Sequence, residues 1–184
     1  WEFVWHGWLQ RSLQFEDDEE DVIVRSLARL KSLTGKQTRG WLGPGLGESN
    51  HTPDLLKKHG IEYLCDWYID DLPSWMRTEL GPLIAMPYTV ELNDVPIWVI
   101  EKQSSDEMYK RLQWTLETFD REKQQNPKVI TLALHPHVIG VPHRATWLAR
   151  MLDELMARDD TIFVTGSQIA DWFLEADGTG GTSV

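Results

Sequence analysis

The chain is nearly devoid of cysteine. Cys65 stands alone among 184 residues, so an intramolecular disulfide is excluded and cysteine usage says little more about compartment. Long apolar runs are missing too: no stretch reaches the roughly 20 residues that a helix needs to cross a bilayer. Positive charge is scarce, with 18 Lys plus Arg against 29 Asp plus Glu and a formal net charge of −11. No basic cluster interrupts that excess. Nucleic acid is therefore excluded as a partner, and an anionic membrane surface would repel the chain. The glycine-rich stretch Gly40-Trp41-Leu42-Gly43-Pro44-Gly45-Leu46-Gly47 lacks the spacing and the Lys-Ser/Thr of a phosphate loop, which excludes nucleotide binding there. The first residue is Trp1, with neither an initiator methionine nor a signal-peptide pattern. The expectation is a chain that begins inside a fold, with its upstream residues absent.

What is present fits a globular α/β domain. A hydrophobic fraction of 41% is ordinary for such a chain, and the length suffices for one domain with a real core, expected over 1–176. The tail over 177–184, with Gly178, Gly180 and Gly181, reads as flexible. Ten tryptophans are many for this length; several adjoin Gly, Pro, Asp or His, where aromatic pocket walls are common.

Periodicity gives the order of elements. Residues 1–5 read as a strand. A helix follows over 16–33, with Asp17, Asp18, Glu19 and Glu20 crowding a first turn where the macrodipole favours anions. Ile23, Leu27 and Leu30 lie on one face of it, and Gly35 ends it. Thr52-Pro53-Asp54 opens a short helix closed by Gly60, and 61–65 reads as a strand. Another apolar strand is expected over 82–86. Ser104 and Glu107 have the spacing of a capping box, opening a helix that runs to about Gln125 with Tyr109, Leu112, Leu116 and Phe119 on one face. The apolar run 129–134, bounded by Pro127 and Pro136, reads as a fully buried parallel strand. A helix over about 144–157, a strand over 161–164 and a helix capped by Ser167 complete the chain. Such alternation predicts a parallel α/β sheet or barrel with the loops after its strands gathered at one face.

Those loops hold the candidate chemistry. His135 stands where the strand over 129–134 stops, with His137, His143 and Arg144 nearby. A lone histidine there would only cap a strand; the company of further polar groups turns the reading towards a site. His6, followed by Gly7, repeats the arrangement at the first strand end. Asp66-Trp67-Tyr68-Ile69-Asp70-Asp71-Leu72-Pro73-Ser74-Trp75 places three carboxylates and three aromatics after the strand over 61–65. Asp-Pro-rich loops are usually solvated turns. Carboxylates crowded between apolar walls are instead pushed apart in pKa, which is how acid and base roles arise.

Six strings in this order, WEFVWHGW, TGKQTRGW, YLCDWYIDDLPSW, MPYTVELND, LALHPHVIGVPHR and IADWF, resemble the later two-thirds of a polysaccharide deacetylase (NodB-homology) domain. The likeness is to the branch that holds the metal-independent allantoinase and certain peptidoglycan deacetylases. It implies a distorted, seven-stranded (β/α) barrel whose N-terminal strands are missing from this chain. It also implies hydrolysis of a non-peptide amide carbon–nitrogen bond in a small-molecule or glycan substrate. His135 matches the histidine that protonates the leaving nitrogen. Asp66, Trp67 and Asp71 match the acidic, aromatic loop that shapes the pocket, Asp71 as a catalytic residue and the other two in substrate binding. Trp41, Arg144 and His6 are expected at the substrate as well, and His6, Asp71 and His135 in one cleft. His6 matches the first histidine of the family's metal motif, but Gln10 stands where a second would follow four residues on, and Leu42 replaces an arginine. Zinc needs about three protein ligands, so the expectation is no metal, zinc through His6 being conceivable only with upstream residues. A cytoplasmic homo-oligomer, by resemblance a tetramer, completes the implied picture. Two other classes stay open: a degenerate domain that binds a glycan or ureide without turnover, and an oligomeric scaffold whose tryptophans form an interface.

Overall fold

The structure, a computed structural model, describes residues 1–122 and 126–178. The end of the helix expected to reach Gln125 and most of the tail expected over 177–184 lie outside the described residues. The chain divides into two compact units, Trp1–Pro87 with the segment from Val164 onward, and Tyr88–Phe163. No helix is long and apolar enough to cross a membrane among the described residues.

The first unit is built on a four-stranded sheet. β4 (Leu83–Ala85) pairs in parallel with β2 (Tyr63–Leu64), as expected, and so does β1 (Gly40–Trp41), which opens the glycine-rich stretch where no strand was expected. β3 (Ser74–Met76) pairs antiparallel with β4, giving the order β1-β2-β4-β3. The sheet is thus mixed rather than purely parallel. The end of the acidic loop, read as irregular, turns back at Gly81, whose φ of 108° only glycine adopts freely. Segment 1–5 forms no ladder either: Trp5 alone bridges Trp41, while Trp1, Phe3 and Val4 are exposed. β-branched and aromatic residues favour a strand only where a neighbour offers a surface to pack on.

α1 (Glu19–Thr34) starts at Asp18, whose side chain accepts from the Asp21 amide, and stops at Gly35, which is left-handed at φ 70°. Its acidic first turn does more than answer the dipole. Glu19 accepts from the Ser49 and Thr52 hydroxyls, and Glu20 meets Lys58 and His59 at 2.6 and 2.7 Å. The run therefore ties α1 to α2 (Thr52–Lys58). Val22, Ile23, Trp41, Leu56, Ile61, Leu64 and Leu83 form the core beneath. On the other side, α6 (Gly166–Asp177) packs Ala170 against Tyr63, Ile84 and Met86. Its cap is Thr165, in a reciprocal box with Gln168, and not Ser167, whose hydroxyl and amide are taken by Glu2.

The second unit has its own core, in which Leu92, Ile97 and Trp98 meet Met108, Leu112 and Leu116 of α3 (Glu107–Glu122), Val138 and Ile139 of α4 (Pro136–Ile139), and Met151 and Leu155 of α5 (Pro142–Met156). The capping box at Ser104 does not form: its hydroxyl donates to Asp106, and Glu107 pairs with Arg111 instead. The run 129–134 is extended but only half buried, and its one ladder contact is a parallel bridge from Ala133 to Asn93. After Asp94 the chain closes into a π-helical turn, Val95–Ile100, in which the Glu101 amide reaches the Pro96 carbonyl, so the partner runs out after one bridge. The strand expected over 161–164 forms no ladder among the described residues, and Ile162, Phe163 and Val164 stand exposed.

Two glycines are fixed by one ring. Side-chain carbons placed at Gly40 and Gly166 would lie 2.1 and 2.5 Å from atoms of the buried Tyr63 side chain. Gly40→Ala and Gly166→Ala should each lower stability by about 1–3 kcal/mol, the usual cost of overpacking. Denaturant unfolding of each variant checks this; unchanged midpoints would contradict the packing.

Candidate functional site

In the second unit, His135 ends the extended run and caps α4, with Pro136 as the first helical residue. Its imidazole Nδ1 lies 2.6 Å from Asp94 Oδ1, and its backbone amide donates to Asp94 Oδ2 at 2.7 Å. Asp94 is fully buried, whereas the His135 side chain is 38% exposed. The bridge at Ala133 sets this geometry, because the Asp94 amide donates to the Ala133 carbonyl and the Ala133 amide to Leu92. A carboxylate acceptor at Nδ1 makes that nitrogen the proton-bearing one in the neutral ring. Nε2 is left as the atom that takes up or releases a proton.

Asp94 is the partner of His135 that pattern reading did not single out. Its partner lies 41 residues away, and nothing in the local sequence couples the two; only the bridge register does. His137 is exposed, edge-on to His135 at 6.0 Å between ring centres. Arg144 donates from Nη1 to the Val138 carbonyl at 3.0 Å, and its guanidinium lies 5.0 Å from the centre of the Trp98 ring.

In the first unit, His6 Nδ1 sits 2.6 Å from the Leu42 carbonyl, so it donates there and again presents Nε2. Asp66 is buried, with Oδ1 accepting from the Gly43 amide at 2.7 Å. Gly43 must be a glycine, for a side-chain carbon there would lie 2.5 Å from Asp66 Oδ2. Glu48, which the sequence reading passed over as loop, accepts from the Trp67 indole at 2.6 Å. Glu48 Oε1 and Asp66 Oδ2 are buried and neither has a hydrogen-bond partner among the described residues, and the charge of Asp66 acts on Glu48. Burial first, and then the charge of Asp66, pushes Glu48 up to about 9; burial also raises Asp66. Both effects favour the neutral form of Glu48. Trp67, Tyr68 and Ile69 project from the same loop, each at least half exposed. Trp41 is fully buried in the core beneath rather than on a pocket wall. Asp71 is half buried on the loop, its amide turned to Asp70 Oδ1 at 2.6 Å. Cys65 beside Asp66 is no nucleophile: burial raises its thiol.

No protein-family model matches the sequence. A peptidoglycan deacetylase of Helicobacter pylori is 25% identical over 187 residues, an alignment that covers 85% of this chain and 64% of that protein. The PuuE allantoinase superposes with a TM-score of 0.83 at 26% identity over 95% of this chain and 59% of that one. A probable polysaccharide deacetylase from Pseudomonas aeruginosa PAO1 does so with the same TM-score, identity and coverage. The chain is a relative of the polysaccharide deacetylases. It spans less than two thirds of the length of these relatives.

The donors that could serve a metal are few among the described residues. His6 offers a single imidazole nitrogen, Gln10 is an exposed neutral amide, and among the described residues no three His, Cys, Asp or Glu side chains group to hold an ion.

Two outcomes follow from this geometry. Long-range 15N spectra of the imidazoles should find the His135 proton on Nδ1, and Asp94→Asn should redistribute it between the two nitrogens; an Nε2–H tautomer in the wild type would contradict the pairing. The raised Glu48 carboxyl keeps a proton that the unfolded chain releases near pH 4.5. More protons bound in the folded state means stability falls as pH rises from there to about 9. Glu48→Gln should flatten that decline in urea unfolding across this range; an equally steep decline would show that Glu48 is not its source.

Proposed function

We propose that the chain hydrolyses a non-peptide amide carbon–nitrogen bond, with His135 as the general acid. The observation that carries this is the Asp94–His135 pair. A buried carboxylate 2.6 Å from Nδ1 fixes the ring and stabilises the imidazolium that forms when Nε2 takes a proton. Amines leave poorly unless protonated, so a histidine held in this way supplies what amide cleavage most needs. The peptidoglycan deacetylase and allantoinase among the relatives support the same class of bond. Two substrate chemistries suit it, the acetamide group of an N-acetylated glycan and the ring amide of a cyclic ureide.

The other roles rest on the resemblance to the polysaccharide deacetylases. Asp71 is the second catalytic residue beside His135. His6, Asp66 and Trp67 bind substrate, with Trp41 supporting their loop from below. Gln10 supports a reaction without a resident metal. A seven-stranded barrel, a domain over 1–176, a homotetramer and a cytoplasmic location are the finer parts of this reading. Gln10 also favours a second reading, a glycan- or ureide-binding domain that has lost turnover.

A panel of N-acetylated glycans and cyclic ureides distinguishes the two. His135→Ala should lower turnover on the best substrate about 100- to 10,000-fold, roughly 3–5 kcal/mol of barrier, with unfolding little changed. His137→Ala should cost far less. Equal losses for the two variants, or an active His135→Ala protein, would remove His135 from the mechanism; binding without turnover across the panel would put the second reading ahead. Protein purified without added metal should hold much less than one zinc per chain and keep its turnover in chelator; stoichiometric zinc on His6 would overturn the metal-independent part.

A further inference from the structure

We propose that Arg144 is the positioning residue of the Asp94–His135 pair: its guanidinium spans the Val138 carbonyl and the Trp98 ring, and so fixes the turn carrying His135 against the turn that follows Asp94. The proposal rests on the functional reading above, and it replaces direct substrate contact as the task of this arginine.

α4 is a single turn of four residues. A helix so short cannot hold its own orientation in water, yet it carries the imidazole whose aim matters. Val138 and Ile139 pack against Ile97 and Trp98 in one core cluster. Packing of that kind sets how far apart the two turns stand but is non-directional, and leaves their mutual rotation loosely specified. Arg144, in the first turn of α5, supplies direction. Nη1 donates to the Val138 carbonyl at 3.0 Å, at the helix end where carbonyl partial charge is negative. The plane of the same group rests over Trp98, 5.0 Å from its centre. Trp98 is itself fixed, being 4% exposed with its indole donating to the Ser104 carbonyl at 2.9 Å. It lies in the π-helical turn that begins at the residue after Asp94. Arginine can stack and donate in its plane at once, whereas a lysine ammonium is a point charge. The Arg144 Nε is buried without a partner among the described residues, so this side of the head faces the protein interior.

The test uses the full chain and the variants R144A, R144Q and R144K, with thermal melts as the folding control. The first readout is the downfield imidazole Nδ1–H proton resonance of His135, assigned by its loss in H135N. It does not depend on turnover, so failure of this inference and failure of the hydrolase reading are distinguishable. R144A should shift or broaden that resonance, R144K should not restore it, and R144Q, which keeps a planar donor, should restore it in part and serves should R144A fail to fold. On the best substrate kcat should fall about 10- to 100-fold, the scale of a misplacement near 1 Å, while KM stays within about twofold because no substrate contact is removed. Methylguanidinium should recover part of the lost kcat in R144A. An unchanged resonance in R144A or R144Q would overturn the proposal, as would a rise in KM alone, which would mark Arg144 as a substrate contact.

Discussion

One buried carboxylate organises the second unit. Asp94 has no exposure to water, and a charge in that position is tolerable only if both oxygens are answered. His135 answers both, one with its backbone amide and one with its ring. The half-buried strand segment, its single bridge, the proline that starts α4 and the π-helical turn after Asp94 all serve to bring these two residues together. π-helical turns are uncommon and tend to accompany functional positions, and this one starts at the residue after the carboxylate.

Much of this was legible in the sequence, for identifiable reasons. α1 could be read because a capping aspartate, an acidic first turn, an apolar face and a terminal glycine all agreed. His135 could be read because a histidine at the end of an apolar run is chemically conspicuous. The misreadings share one cause. Residues 1–5, 129–134 and 161–164 have the composition of strands, but a strand is a relation between two segments, and composition describes only one of them. Asp94 was hidden for the same reason, its meaning residing in a residue far along the chain. Glu48 was hidden in a loop whose glycines drew attention to its backbone rather than to the carboxyl it places against Asp66.

The first unit handles its buried acids differently. Asp94 is answered by a histidine, whose amide and ring each meet one of its oxygens. Glu48 and Asp66 are buried side by side without a base between them, and burial raises both. Aspartate is thus set against a histidine in one unit and against a second carboxyl in the other, and the surroundings alone make the difference.

The Tyr63 ring between Gly40 and Gly166 has a consequence for descent. Neither glycine can accept a side chain while the ring is in place, and the ring can shrink only by leaving a void. Change at these three positions therefore has a preferred order, with position 63 yielding first and the glycines being released afterwards. In lineages that keep tyrosine here, glycine should persist at both flanking positions although they are far apart in the chain, and in lineages that have lost it both should drift together.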